Sequence, residues 1–101
     1  MNHQERISAF IELGKVLGEI SEKPQESDWA AAFNRAEAEN RWFTQENIAL
    51  ALRGIAFMLE ADKLQKWLSN YSPTPDNGEK RVALIMAGNI PLVGFHDLLC
   101  V

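Results

Sequence analysis

The chain has one cysteine, Cys100, among its 101 residues. A single cysteine cannot form a disulfide within the chain, so the sequence predicts a protein of a reducing compartment. The first ten residues lack the basic and apolar segments of a signal peptide. No apolar run approaches the roughly 20 residues that cross a bilayer. We therefore expect a cytoplasmic protein with no membrane span.

Clustered positive charge is also missing. Residues 1–60 carry ten acids and six bases, and residues 61–101 carry four of each, which together give the net charge of −4. Binding to nucleic acid requires grouped Lys and Arg side chains that neutralise phosphates, so we expect no nucleic-acid partner. The three Trp and five Phe residues argue against a disordered chain.

Apolar residues at helical spacing predict a first helix from about residue 4 to residue 21. Gly14 and Gly18 lower the intrinsic helix propensity of this segment. Because they lie one turn apart on it, they would allow another helix to approach closely. Ser27 is expected to cap a second helix that stops at Asn40.

Further helix signals follow in the next thirty residues. Thr44 is expected to cap a third helix, with Phe43 and Ile48 placed as a hydrophobic staple. Asp62 is expected to start a short fourth helix. Two prolines and an Asn-Gly pair then mark residues 72–78 as a linker. This linker divides a helical region, residues 1–71, from a second unit, residues 79–101.

The second unit begins with an unbroken apolar run at residues 82–86, followed by Gly88, Asn89, Ile90 and Pro91, and then by apolar residues at helical spacing. This order predicts a buried strand, a tight turn and a helix start. Gly88 would let a ligand approach the backbone, and Pro91 suits the first turn of a helix. Free amides there, with the side chain of Asn89, could hold a phosphate or an oxyanion.

The alternative is a plain turn in which Asn89 bonds its own backbone, and spacing alone favours that alternative. The chain stops at Val101, inside the predicted helix and with no sheet for the strand to join. We therefore expect it to be the front part of a longer protein.

The run VALIMAGNIPLVGFHDLLCV resembles the first strand, turn and helix of the cofactor-binding domain in LuxC-type acyl-CoA reductases, members of the aldehyde dehydrogenase superfamily. The family pattern is an apolar strand, then G-N-[IV]-P-x-V-G, then an apolar helix. Gly88, Asn89, Ile90, Pro91, Val93 and Gly94 occupy those places here. The match covers about twenty residues, and over the helical region it is weaker.

The resemblance implies the N-terminal portion of an oxidoreductase that reduces acyl-CoA, or another acyl thioester, to an aldehyde with NADPH or NADH. It implies that Asn89 is an oxyanion donor and that Gly88, Ile90 and Pro91 form the turn near the cofactor site. The fold is then mainly α (three to four helices) followed by one strand, a turn and a helix start, as a fragment of a larger α/β aldehyde-dehydrogenase-like fold. Since the family's catalytic cysteine lies far downstream, the chain alone is expected to be inactive and to bind no cofactor.

Cys100 is not expected to be that nucleophile, because its neighbours Leu98, Leu99 and Val101 are apolar and a buried structural cysteine is the commoner case. His96 and Asp97 are adjacent in a helix, so their side chains point about 100° apart and do not suit an acid–base pair. No set of His, Cys and carboxylate residues has metal-ligand spacing, so we predict no metal.

Two questions stay open from the sequence. The first is whether Trp29, Trp42 and Trp67 form a surface for an acyl chain or only pack between helices. The second is whether the chain is instead a stand-alone helical interaction module, whose terminal strand docks on a partner. An unpaired strand could also pair with a second copy of the chain.

Overall fold

The computed structural model describes residues 2–72, 78 and 81–100. Five α-helices lie in this part of the chain: α1 (His3–Glu22), α2 (Ala30–Glu39), α3 (Gln45–Met58), α4 (Ala61–Leu68) and α5 (Phe95–Cys100). A single 3-10 turn, Pro24–Glu26, joins α1 to α2. The mainly helical class predicted from the sequence is confirmed. Most of the predicted linker at 72–78 lies outside the described residues.

Local capping fixes the starts of two helices. Asn2 and Glu5 form a capping box on α1, in which the Asn2 Oδ1 accepts the Glu5 N–H at 2.8 Å. Thr44 Oγ1 accepts the Asn47 N–H at 3.2 Å and caps α3, as predicted. These side chains satisfy amides that the first turn of a helix leaves without an internal partner.

The predicted cap of α2 is wrong. The Ser27 hydroxyl donates to the Pro24 carbonyl at 2.6 Å and so closes the 3-10 turn. The Ser27 Oγ also accepts the Trp29 N–H at 3.3 Å, which forms a turn ahead of the helix, and α2 begins only at Ala30 with Trp29 as its N-cap residue. The predicted stop is correct, since Asn40 is the C-cap residue of this helix.

The core is centred on Ile55, Leu59 and Leu64, where α3 meets α4. Leu59 is the only fully buried large side chain in the part of the chain described. Half-buried apolar side chains from α1, α4 and α5 surround this centre: Ile7, Phe10, Ile11, Leu17, Trp67, Leu68, Phe95 and Leu99. The short helix α5 therefore belongs to the same core as the helical region.

The close approach of α1 to α3 depends on Gly14. An ideal Cβ at Gly14 would lie 2.7 Å from Leu59 Cβ, a distance that real Cβ atoms do not show. At Gly18 the nearest atom, Ala56 Cβ, is at an ordinary 3.6 Å. The predicted close helix contact is thus confirmed, and Gly14 is the residue that makes it possible.

Gly14→Ala is expected to destabilise the fold by about 1–2 kcal/mol, since overpacking against Leu59 exceeds the gain in helix propensity. Gly54→Ala is the matched control, because nothing lies within 4 Å of a Cβ at that position in α3. It should stabilise the fold by up to about 1 kcal/mol. Urea unfolding followed by circular dichroism measures both changes, and equal signs for the two variants would contradict the packing account.

Three side-chain amides join the 3-10 turn, α2 and α3. Gln45 Nε2 donates to Asn34 Oδ1 at 2.8 Å, and Gln25 Nε2 lies 3.3 Å from the same oxygen. Gln25 also donates to Gln45 Oε1. We call these three residues the amide junction, and all of its members are uncharged.

The predicted strand at residues 82–86 is wrong. Residues 81–87 have no regular secondary structure, and no strand occurs among residues 2–72, 78 and 81–100. A strand leaves its backbone N–H and C=O groups unpaired unless a second strand lies beside it, and the described residues offer none. Apolar composition therefore does not make this segment a strand, and the α/β part of the predicted fold is corrected with it.

Candidate functional site

The segment that resembles the reductase turn lies between the irregular residues 81–87 and α5. Residues 88–90 form a bend and residues 91–94 form a turn, so the helix begins at Phe95 and not near Pro91 as predicted. Leu92 has φ of +58°, in the left-handed region that residues with a Cβ seldom adopt. This residue reverses the chain before α5, which delays the helix start.

One hydrogen bond ties this turn to the helical region. The side chain of Asn40 donates from Nδ2 to the Gly88 carbonyl at 2.9 Å, across 48 residues of sequence. No local sequence signal identifies Asn40 as part of the site, because its predicted role was only to end α2. The structure therefore adds Asn40 to the residues named from the sequence.

A second contact joins the segment before the bend to the last residue of the turn. An ideal Cβ at Gly94 would lie 2.7 Å from Met86 Sδ and 3.2 Å from Met86 Cβ. Gly94 is buried under this side chain, so any larger residue there would displace Met86. The segment before the bend thus packs back over the end of the turn.

The side chain of Asn89, the predicted oxyanion donor, is exposed. Within the part of the chain described, it makes no hydrogen bond, so the alternative in which it bonds its own backbone is not observed. Ile90 is 54% exposed and Pro91 is half-buried. The Asn89 amide is therefore accessible to a group that approaches from solvent.

The backbone amides at the start of α5 are less available than predicted. The Phe95 N–H donates to the Leu92 carbonyl at 3.0 Å, and the Leu98 N–H donates to the Gly94 carbonyl at 3.2 Å. An anion at this helix start could not use those two donors. The exposed side chain of Asn89 is thus one accessible donor at the turn.

Cys100 is exposed, which corrects the expectation of a buried structural cysteine. Its Sγ lies 3.9 Å from His96 Nδ1, one helical turn earlier. The His96 ring also contacts Trp67 edge-on, with ring centroids 5.8 Å apart. Asp97 is exposed, and its Oδ1 lies 4.0 Å from His96 Nδ1. His96 thus docks α5 onto α4 through an aromatic contact.

The three tryptophans do not form one surface. Trp67 packs against the core and against Tyr71, whose ring centroid is 5.5 Å away. Trp29 and Trp42 are instead largely exposed, at 58% and 67%. Trp29 precedes α2 as its N-cap residue, so neither it nor Trp42 is buried between helices.

Two open grooves occur on the helical region. The larger, about 810 Å³, lies between α1, α3 and α4, and the smaller, about 400 Å³, lies near the 3-10 turn. Gly88, Asn89, Ile90 and Pro91 line neither groove, whereas Trp29 lines the smaller one. In the described ranges, no group of three or more His, Cys, Asp or Glu residues could hold a metal ion. No helix in those ranges combines the length and apolarity that crossing a membrane requires.

Comparison of the chain with known protein families, with curated proteins and with solved structures found no match. The chemistry open to the turn therefore has to be inferred from its own residues. These are one accessible amide donor at Asn89, an open backbone at Gly88 and an anchor at Asn40. They suit the binding of an oxygen atom that gains negative charge.

Proposed function

We propose that this chain is the N-terminal portion of a cytoplasmic reductase that converts acyl-CoA, or another acyl thioester, to the aldehyde with NADPH or NADH. The observation that carries the proposal is the exposed amide of Asn89 on a turn that Asn40 holds through Gly88. The resemblance of residues 82–101 to LuxC-type reductases supports it. The single-cysteine composition supports the cytoplasmic location.

In this proposal Asn89 donates from Nδ2 to the carbonyl oxygen of the acyl group. A nucleophilic cysteine thiolate in the rest of the protein attacks that carbonyl, and the oxygen gains negative charge as the new C–S bond forms. When the C=O bond re-forms, the C–S bond to CoA breaks, CoA leaves as the thiolate and the acyl group stays on the cysteine as a thioester. A donor already placed at that oxygen stabilises the charge without reorganising at the moment of reaction. The chain described here supplies this donor and not the nucleophile, so it is inactive alone.

A bound nicotinamide cofactor would supply the hydride that reduces this thioester to the aldehyde, with release of the cysteine thiolate. A built Cβ at Gly88 meets no atom within 4 Å, so a ligand can come close to the backbone there. Ile90 and Pro91 would border that approach. The remaining contacts to the cofactor would come from the rest of the protein.

The test is an assay of the full-length protein for acyl-CoA-dependent oxidation of NADPH and of NADH, with the aldehyde identified by mass spectrometry. We expect aldehyde and free CoA in equal amounts. The 101-residue chain alone serves as the control and should give neither. Absence of aldehyde from the full-length protein with short-chain and long-chain acyl-CoA alike would refute the proposal.

A second candidate function is a helical interaction module, in which residues 81–100 dock on another polypeptide surface. It is favoured by the exposed apolar side chains of this segment: Val82, Ile85, Met86, Ile90, Leu92, Val93 and Leu98. Ile85 is completely exposed, which is unusual for a large apolar residue outside an interface. A full-length protein that forms a stable complex but produces no aldehyde would favour this candidate.

A further inference from the structure

Asn40 is fixed by four hydrogen bonds at the end of α2. Its backbone N–H donates to the Ala36 carbonyl at 2.9 Å, and its carbonyl accepts the Phe43 N–H at 2.9 Å. Its side chain accepts the Trp42 N–H at Oδ1, at 3.0 Å, and donates from Nδ2 to the Gly88 carbonyl at 2.9 Å. Both ends of the amide are thus occupied, and by different parts of the chain.

This pair of side-chain bonds fixes which atom faces the turn. The Trp42 N–H can only donate, so it requires the Oδ1 of Asn40 as its acceptor. The Nδ2 of Asn40 must then point towards Gly88, whose carbonyl can only accept. Rotating the amide by 180° would place two donors together and two acceptors together.

The Gly88 carbonyl belongs to the same planar peptide group as the nitrogen of Asn89. A bond that holds this carbonyl therefore holds the peptide plane that contains the N and Cα atoms of Asn89. We propose that Asn40 is a positioning residue, which fixes the place of the Asn89 backbone, and so the origin of its side chain, relative to the helical region. The catalytic consequence rests on the proposed function, whereas the structural consequence does not.

The helical region acquires a specific role from this contact. The end of α2 is hydrogen-bonded to the start of the bend through Asn40 and Gly88. After the turn, Phe95 and Leu99 pack α5 onto the core. A donor that stabilises a developing charge has to be held in place before the reaction. Asn40 meets that need from a position 48 residues earlier in the chain.

The test on the 101-residue chain uses Asn40→Asp, which keeps an acceptor for Trp42, replaces the donor to Gly88 by a carboxylate oxygen and adds one negative charge. Amide hydrogen exchange at Phe95 and Leu98 reports on docking of the turn and α5, because both amides are hydrogen-bonded within this unit. We expect exchange at these two amides to become about fivefold faster, because the loss of one exposed hydrogen bond typically changes an equilibrium by about that factor. The amides of α1 and α3 should be unchanged.

Ala38→Asp is the matched control, since it adds a carboxylate to an exposed position of α2. This variant should leave exchange at Phe95 and Leu98 unchanged. Equal exchange in the Asn40→Asp variant and in the control would overturn the proposal, because the bond would then not hold the turn.

A double-mutant cycle on the full-length protein tests whether Asn40 acts through Asn89. Asn40→Asp should lower kcat about fivefold with KM unchanged, and should have no further effect once Asn89 is alanine. The same fivefold loss in both backgrounds would overturn the positioning role. A wild-type protein without reductase activity would refute the proposed function alone, and the exchange experiment would still decide whether Asn40 holds the turn.

Discussion

On the proposed function, replacing Asn89 by alanine is expected to lower the reductase kcat of the full-length protein by about 100-fold, which is typical of a lost oxyanion donor. The Asn89 amide is exposed and makes no hydrogen bond within the described residues, so its removal breaks no contact that supports the fold. The donor is needed most when the acyl oxygen carries negative charge. The loss should therefore appear in kcat more than in KM.

Steady-state kinetics with acyl-CoA and NADPH or NADH measure this loss, and circular dichroism verifies that the variant is folded. Asn70→Ala is a suitable control, because the Asn70 amide bonds only the Lys66 and Trp67 carbonyls at the end of α4. Its kcat should stay close to wild type. If the Asn89→Ala variant had the same kcat as this control variant, Asn89 would have no part in the mechanism.

Leu59→Ala is expected to cost about 3 kcal/mol of unfolding free energy. Leu59 is completely buried between Ile55 and Leu64, and the Gly14 backbone lies against it. Deleting its side-chain carbons removes their transfer free energy and leaves a cavity that rigid neighbours fill only in part. A chain of this size has a total stability of about 5–15 kcal/mol, so the variant should lose much of it.

Leu50→Ala provides the comparison, because Leu50 lies in α3 but is 63% exposed. The same chemical change there should alter the unfolding free energy by less than about 0.5 kcal/mol. Urea titrations followed by far-ultraviolet circular dichroism give both values. Similar losses for the two leucines would mean that the core is not centred on Leu59.

The helices of the first 71 residues could be predicted because a helix satisfies its hydrogen bonds within its own segment. Apolar spacing therefore identified α1 and α3, and Thr44 identified the start of α3. The error at Ser27 has a local cause as well. A serine hydroxyl can close a preceding turn as readily as it caps a following helix, and the sequence does not decide between the two.

The strand prediction failed because a strand depends on residues outside its own segment. The apolar run at 82–86 was predicted to be a buried strand, yet it has no regular structure and four of its five side chains are exposed. The resemblance to the reductase family includes an apolar strand, which the structure does not show at residues 81–87, so it now rests on the order of residues from Gly88 to Gly94. It stays a prediction that the kinetics of Asn89 will test.

The contact between Asn40 and Gly88 could not be predicted from the sequence for a related reason. Asn40 was interpreted only as a helix stop, and its backbone does have that role. Its side chain donates to the carbonyl of a residue 48 positions later in the sequence. Helical periodicity does not predict contacts between residues so far apart in the chain. Contacts of this kind become visible only when the helices have been packed together.

The amide junction of Gln25, Asn34 and Gln45 has a consequence for how the protein responds to its surroundings. Amides neither gain nor lose protons between about pH 4 and 9, and counter-ions do not screen them as they screen ion pairs. The connection of the 3-10 turn to α2 and α3 should thus keep its strength in acid and in concentrated salt. The exposed pairs Lys15–Glu12 and Arg35–Glu39 would weaken under the same conditions.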